Sequence, residues 1–213
     1  MKRARLKWLA AVALAALVAG VAVGSWFVVR ERSDPKRWGV VTPGTVYRSG
    51  WPRPGQMERV FREHGIKTIV NLCSAAANSS SEAKEEAAAA AKVGATVHYL
   101  PMEGKGSCDD LGSYSEAVAL LAGAAKSGQP ALIHCTHGTN RTGGVVAVYQ
   151  ALVEGKSTVE IRQGMLQYGF NPKWNKTLLA FLDKNMGAFA AALKRQGVVK
   201  AVPVPLPVIN LKE

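Results

Sequence analysis

The chain has 213 residues, 48% of them hydrophobic, and a net charge of +12, enough for one ordinary domain with a buried core plus an appendage. Its three cysteines, Cys73, Cys108 and Cys135, show no paired spacing, and no Cys/His set has zinc spacing, which argues against a disulfide scaffold and a structural metal. Outside the first 37 residues no Lys/Arg cluster is interleaved with aromatics, so nucleic acid ranks low as a partner, while a basic body suits an anionic ligand.

Residues 1–37 hold 8 Lys/Arg against 2 acids. Within them "WLAAVALAALVAGVAVGSWFVV", residues 8–29, carries no charge. At ~1.5 Å per residue that stretch spans about one hydrocarbon core. The expectation is an N-terminal transmembrane anchor that makes the membrane a partner, with N-inside orientation slightly favoured. The alternative is a signal peptide cut after "AVG", before Ser25, which would leave the rest secreted.

The body, residues 38–195, alternates strand and helix patterns. "GTVYRSG" reads as a short strand entering a turn, and "PGQMERVFREHG" as an amphipathic helix closed by Gly65. "IKTIVNLC" is a buried strand, "SEAKEEAAAAAKVG" a helix ending in Gly94, and "ATVHYL" a second such strand. "DDLGSYSEAVALLAGAAKSG" is a helix with Asp109 or Asp110 as its cap, and "PALIHC" is a further strand. The helix "TGGVVAVYQALVEG" follows, then "STVEIRQGMLQYG" with a capping box from Ser157 to Glu160, then "PKWNKTLLAFLDKNMGAFAAALKR". This order predicts an α/β domain with a central, mostly parallel sheet flanked by helices, whose ligands lie beyond the carboxyl ends of the strands. Residues 196–213 hold prolines at alternate positions and form an extended tail.

Cys135 ends its strand at that carboxyl edge. Thr136, His137, Gly138, Thr139 and Asn140 then form a short loop before Arg141 and a helix. Such a loop aims successive backbone N–H groups into one concavity, a nest for a tetrahedral oxyanion. The same N–H groups and the helix dipole draw Cys135 toward thiolate, the nucleophilic form. Arg141 offers a planar fork to two phosphate oxygens, and Thr142 can hydrogen-bond the sulfur and ease its departure. These are the parts of a phosphocysteine mechanism with Cys135 as nucleophile.

"HCTHGTNRTG" resembles the HCxxGxxR[ST]G signature of the cysteine-dependent protein tyrosine/dual-specificity phosphatases at His134, Cys135, Gly138, Arg141, Thr142 and Gly143. "GTVYRSGWPRP", "IKTIVNLC" and "HYLPMEGKG" are similar to segments of the compact atypical dual-specificity group, and the resemblance covers about residues 40–185. With the anchor it suggests a membrane-anchored bacterial-type member with a protein-tyrosine-phosphatase-like fold. It implies a hydrolase that uses no metal or cofactor and acts on a phosphorylated protein or a small phosphorylated molecule, including phosphoinositides or inositol phosphates. A non-catalytic phosphate-binding module is the rival reading, and the intact thiol argues against it.

The general acid departs from the family pattern. The zone Met102-Glu103-Gly104-Lys105 lacks the usual aspartate, leaving Glu103, Asp109 and Asp110. Capping is the better role for Asp110, and Asp109 is taken as the catalytic acid with Glu103 as its equal rival. In the loop only His137 can be cationic, which weighs against a very highly charged substrate. Trp51 and Trp174 are expected to pack in the core, with the rim of the site as the alternative for each. Cys73 ends its strand as Cys135 does, either as an inert buried thiol or, as the resemblance to the lipid-phosphatase branch suggests, as a resolving partner for the oxidised nucleophile.

Overall fold

The computed structural model describes residues 14, 16–21, 23–25, 33–103, 105–106 and 111–210. Met1–Asp34 and Pro35–Glu213 form separate compact units. In the first, residues 16–21 and 23–25 are helical, and most of the expected span at 8–29 lies outside the described residues. Among the described residues no helix is long and apolar enough to cross a membrane. The second unit starts at Pro35 and so includes Lys36 and Arg37.

That body runs β1 (Gly39–Thr42), β2 (Val46–Gly50), α1 (Pro54–Glu63), β3 (Thr68–Asn71), α2 (Ser81–Val93), β4 (Thr96–Tyr99), α3 (Leu111–Ser127), β5 (Ala131–Cys135), α4 (Asn140–Leu152), α5 (Thr158–Gln167) and α6 (Lys176–Arg195). The sheet order is β1-β2-β5-β3-β4. β5 lies parallel between β2 and β3, and β3 is parallel to β4. β1, which was not expected, pairs antiparallel with β2 through a tight turn at Pro43-Gly44, so the sheet is mixed.

Strand alternation divides the core. Ile69 and Leu132 pack with Met57, Val60, Phe61 and Ala90 on the face covered by α1 and α2. Their neighbours Val70 and Ile133 join Val118, Leu121, Val148, Leu182 and Phe189 on the face covered by α3 to α6. With β5 flanked on both sides and buried along its whole length, the end of "ALIHC" has little freedom, and Cys135 inherits that rigidity.

Local chemistry sets the helix ends. Ser80 accepts from the Ala83 N–H at the start of α2, and Gly94 closes that helix at φ 67°. The Ser157–Glu160 capping box opens α5. The last helix starts at Lys176, later than its sequence pattern suggests, because the Asn175 carboxamide accepts from the Leu178 N–H and caps it. The tail lies on the domain: the Asp183 carboxylate accepts from the Ile209 and Asn210 N–H groups at 2.6 and 3.0 Å, and Ile209 is buried.

Candidate active site

The nucleophile loop is shaped from behind. Thr136, His137 and Gly138 each have their carbonyl taken by an outside donor: Trp51 N–H at 3.4 Å, Arg37 Nη1 at 2.9 Å and Arg48 Nη2 at 2.5 Å. Because the C=O and N–H of a peptide unit point in opposite directions, tethering these carbonyls outward turns the N–H groups toward the sulfur. The Gly138 N–H reaches Cys135 Sγ at 3.2 Å. Gly138 sits at φ +72°, and a Cβ there would lie 2.4 Å from the Gly50 nitrogen, so only glycine fits between this loop and β2.

Cys135 is almost fully buried. Burial by itself pushes its thiol up. The Thr142 hydroxyl and backbone N–H, the Arg141 guanidinium and the His137 N–H outweigh that push and hold the thiol below its ordinary value. Thr142 is buried at the start of α4.

Arg141 Nη1 donates to the carbonyls of Leu72 and Met102, at 3.2 and 3.1 Å, and Nη2 to Thr136 Oγ1 at 3.2 Å. The guanidinium is thereby oriented by the end of β3 and by the segment after β4, while among the described residues its Nε–H makes no bond. The Nε–Nη2 edge remains for two oxygens of a phosphoryl group.

The cleft above the sulfur has a volume of about 730 Å³. Cys135, His137, Thr139, Asn140 and Arg141 line it, joined by Arg37, Lys105 and Trp174 from elsewhere in the chain. Among the described lining residues there is no carboxylate. A smaller adjoining cavity, lined by Lys36, Arg53 and Trp51, shares Thr136 and His137 with the loop. Within the loop only His137 can be cationic; the further cations of the lining, Arg37 and Lys105, arrive from segments remote in sequence. Trp174 is no core residue; it stands 79% exposed at the rim, because the chain turns there before Asn175 caps α6. Trp51 is half-buried against the α1 and α2 core.

The segment after β4 is pinned. Asn175 Nδ2 donates to Lys105 O at 2.8 Å, Lys105 Nζ to Trp174 O at 3.3 Å, and the Tyr114 hydroxyl to Gly106 O at 2.5 Å. Gly144 makes the last contact possible, since a Cβ there would meet the Tyr114 oxygen at 2.4 Å. Glu103 is exposed and lies outside the cleft lining. Asp109, Asp110 and Cys108 lie outside the described residues.

Cys73 and Cys135 are both free and buried; Cys135 ends β5, and Cys73 lies two residues beyond the end of the neighbouring β3. Cys73 Sγ lies 3.7 Å from Thr136 Oγ1.

A thiol drawn toward its anion, an N–H nest and an arginine fork, at the carboxyl edge of a mostly parallel sheet, define a cysteine-based phosphatase. Residues 51–155, the stretch from the end of β2 to the end of α4, match the family described as "Polymorphic toxin system, DSP-PTPase phosphatase". No curated protein sequence matches. The core catalytic domain of the PP-IP phosphatase SIW14 from S. cerevisiae, in complex with citrate, is similar with a TM-score of 0.62 at 18% identity, over 82% of this chain and 98% of that one. P. aeruginosa TpbA is similar with a TM-score of 0.59 at 21% identity, over 74% and 91% of the two chains. PTPMT1 in complex with PI(5)P gives 0.56 at 16% identity, over 76% and 99%. These likenesses establish the shared fold.

Proposed function

We propose that this phosphatase acts on small molecules that carry more than one phosphate. The observation behind this reading is the charge of the cleft: Arg37 and Lys105 stand beside Arg141 with no described carboxylate in the lining. A single phosphate is already met by the N–H nest and Arg141, whereas a second phosphate would meet the further cations with charge-assisted hydrogen bonds. Names among the structural neighbours, a PP-IP phosphatase and a PI(5)P complex, belong to this substrate class. Phosphotyrosine is the second reading, favoured by the exposed Trp174 indole at the rim, against which an aryl group could stack.

In the reaction the Cys135 thiolate attacks phosphorus and the bond to the leaving oxygen breaks, with a proton delivered to that oxygen. Water then attacks the phosphocysteine, the S–P bond breaks, and inorganic phosphate and the thiolate are released. Asp109 is the proposed proton donor of the first step, and Thr142 stabilises the departing sulfur in the second.

Residues 8–29 are proposed as a single-pass membrane anchor, N-inside slightly favoured, on the strength of their uncharged length and flanking basic residues. Cleavage before Ser25 is the alternative.

The substrate reading is tested by comparing wild type with the Lys105→Ala variant on a bisphosphorylated inositol and on an aryl monophosphate. The expected result is a KM raised about tenfold or more for the former, equivalent to ~1.4 kcal/mol or more of binding, with the latter changed little. Equal losses on both substrates would contradict it.

A further inference from the structure

The alanine-rich helix α2 hides one acidic residue. Glu86 has no exposed surface, in a helix whose other Glu and Lys side chains face solvent. A buried carboxylate is costly unless it is fully partnered. Its Oε1 lies 2.9 Å from Nε2 of His134, which is also fully buried, and its Oε2 accepts from Asn71 Nδ2 at 2.7 Å.

Both partners lead to the reacting groups. His134 immediately precedes Cys135 on β5, and its carbonyl accepts from the Leu72 N–H at 2.9 Å. Asn71 Oδ1 accepts from the Cys73 N–H at 2.8 Å, Cys73 Sγ lies 3.7 Å from Thr136 Oγ1, and Thr136 Oγ1 accepts from Arg141 Nη2 at 3.2 Å. One carboxylate thus stands at the root of two chains of contact. One ends at the nucleophile, the other at the phosphate-binding arginine.

We propose that Glu86 is a positioning residue for catalysis, holding His134 and Asn71 so that β5 and β3 present Cys135 and Arg141 in register. It touches no substrate and acts only through these two neighbours. The groups around the pair are Cys73 from the end of β3, Tyr99 from β4 and the Trp51 ring, 6.0 Å from the imidazole. Burial would push His134 down, but Glu86 and Cys73 outweigh it and raise the imidazole to about 10. One side chain thereby reaches both strand ends.

The proposal rests on Cys135 chemistry, so wild-type hydrolysis of an aryl phosphate is the reference; an inactive wild type would overturn that chemistry itself. Glu86→Gln, His134→Asn and the double variant are made in the full chain and measured for kcat, KM and folding by denaturation. Glu86→Gln is expected to lower kcat about tenfold or more with KM within about threefold of wild type. The double variant is expected to lose no more than the worse single variant, because both lie on one path. A folded Glu86→Gln with wild-type kcat would overturn the proposal, as would independent, multiplying losses in the double variant. Should Glu86→Gln fail to fold, Glu86→Asp replaces it, keeping the charge with a shorter reach. Reduced kcat at unchanged KM supports positioning, and unchanged kcat overturns it.

Discussion

The buried Arg48 guanidinium donates to the Gly138 carbonyl at 2.5 Å, gripping the nucleophile loop from the side that never meets substrate. Its charge is eased by the Tyr168 ring, 4.0 Å from the guanidinium carbon. Desolvation by burial lowers Arg48 to about 10, which still leaves it protonated at neutral pH. Arg48→Met should therefore leave the Gly138 carbonyl without a donor, at a cost of about 1–3 kcal/mol in stability. Turnover should fall further than that loss of folded protein explains, because the loop is freed. Thermal denaturation and kcat measured on the same preparation check this; a fall in stability with kcat intact would show that the grip does not shape the nest.

Thr142 and the loop N–H groups hold the Cys135 thiol below its ordinary value of 9.0 against the opposing effect of burial. The thiolate consequently forms at lower pH than in a free cysteine. Thr142→Ala removes one stabiliser of the anion, so the midpoint for alkylation of Cys135, followed by peptide mapping, should move upward. A midpoint that stays in place would mean the hydroxyl does not act on the sulfur.

His134 supplies a pH dependence of stability. Its folded value of about 10 lies above the ordinary 6.5. Below pH 6.5 both folded and unfolded chains hold the proton and the contribution is complete. Between 6.5 and 10 the unfolded chain releases it first, so stability declines as pH rises, and the contribution is gone above 10. Denaturation midpoints across this window should fall in wild type and fall less in His134→Asn. Parallel curves would refute the assignment.

Asp109→Asn should slow phosphate esters with poor leaving groups more than aryl phosphates with good ones, since protonation matters most where the departing oxygen is basic. Equal losses on both would remove Asp109 from the proton transfer, and Glu103→Gln is then measured in the same way.

The contiguous run from His134 to Gly143 announced the nest and the arginine fork because that chemistry is local: strand, loop and helix follow one another without interruption. Because each ends its strand pattern, "IKTIVNLC" and "PALIHC" likewise placed Cys73 and Cys135 at the carboxyl edge of the sheet, where β3 and β5 do lie side by side. What the linear order concealed depends on contacts between distant segments. Arg37 looked like the end of a basic flank, yet it bonds His137, a hundred residues away in sequence. Glu86 sat unremarked beside an alanine run, since nothing in that run shows which turn of α2 faces β5. Trp174 read as a core aromatic, because composition does not reveal that the chain turns outward before Asn175. β1 escaped notice because a four-residue strand held by one hairpin has little periodicity to detect.

The central claim is that phosphate passes through the sulfur of Cys135. Acid quench of the full chain during turnover of an aryl phosphate, followed by peptide mapping, measures it directly. One phosphoryl group is expected on the peptide containing Cys135 in wild type, and none in Cys135→Ser, which should be inactive yet still bind a phosphate analogue. Turnover by Cys135→Ser at the wild-type rate, or a phosphoryl group found on any other residue, would contradict it.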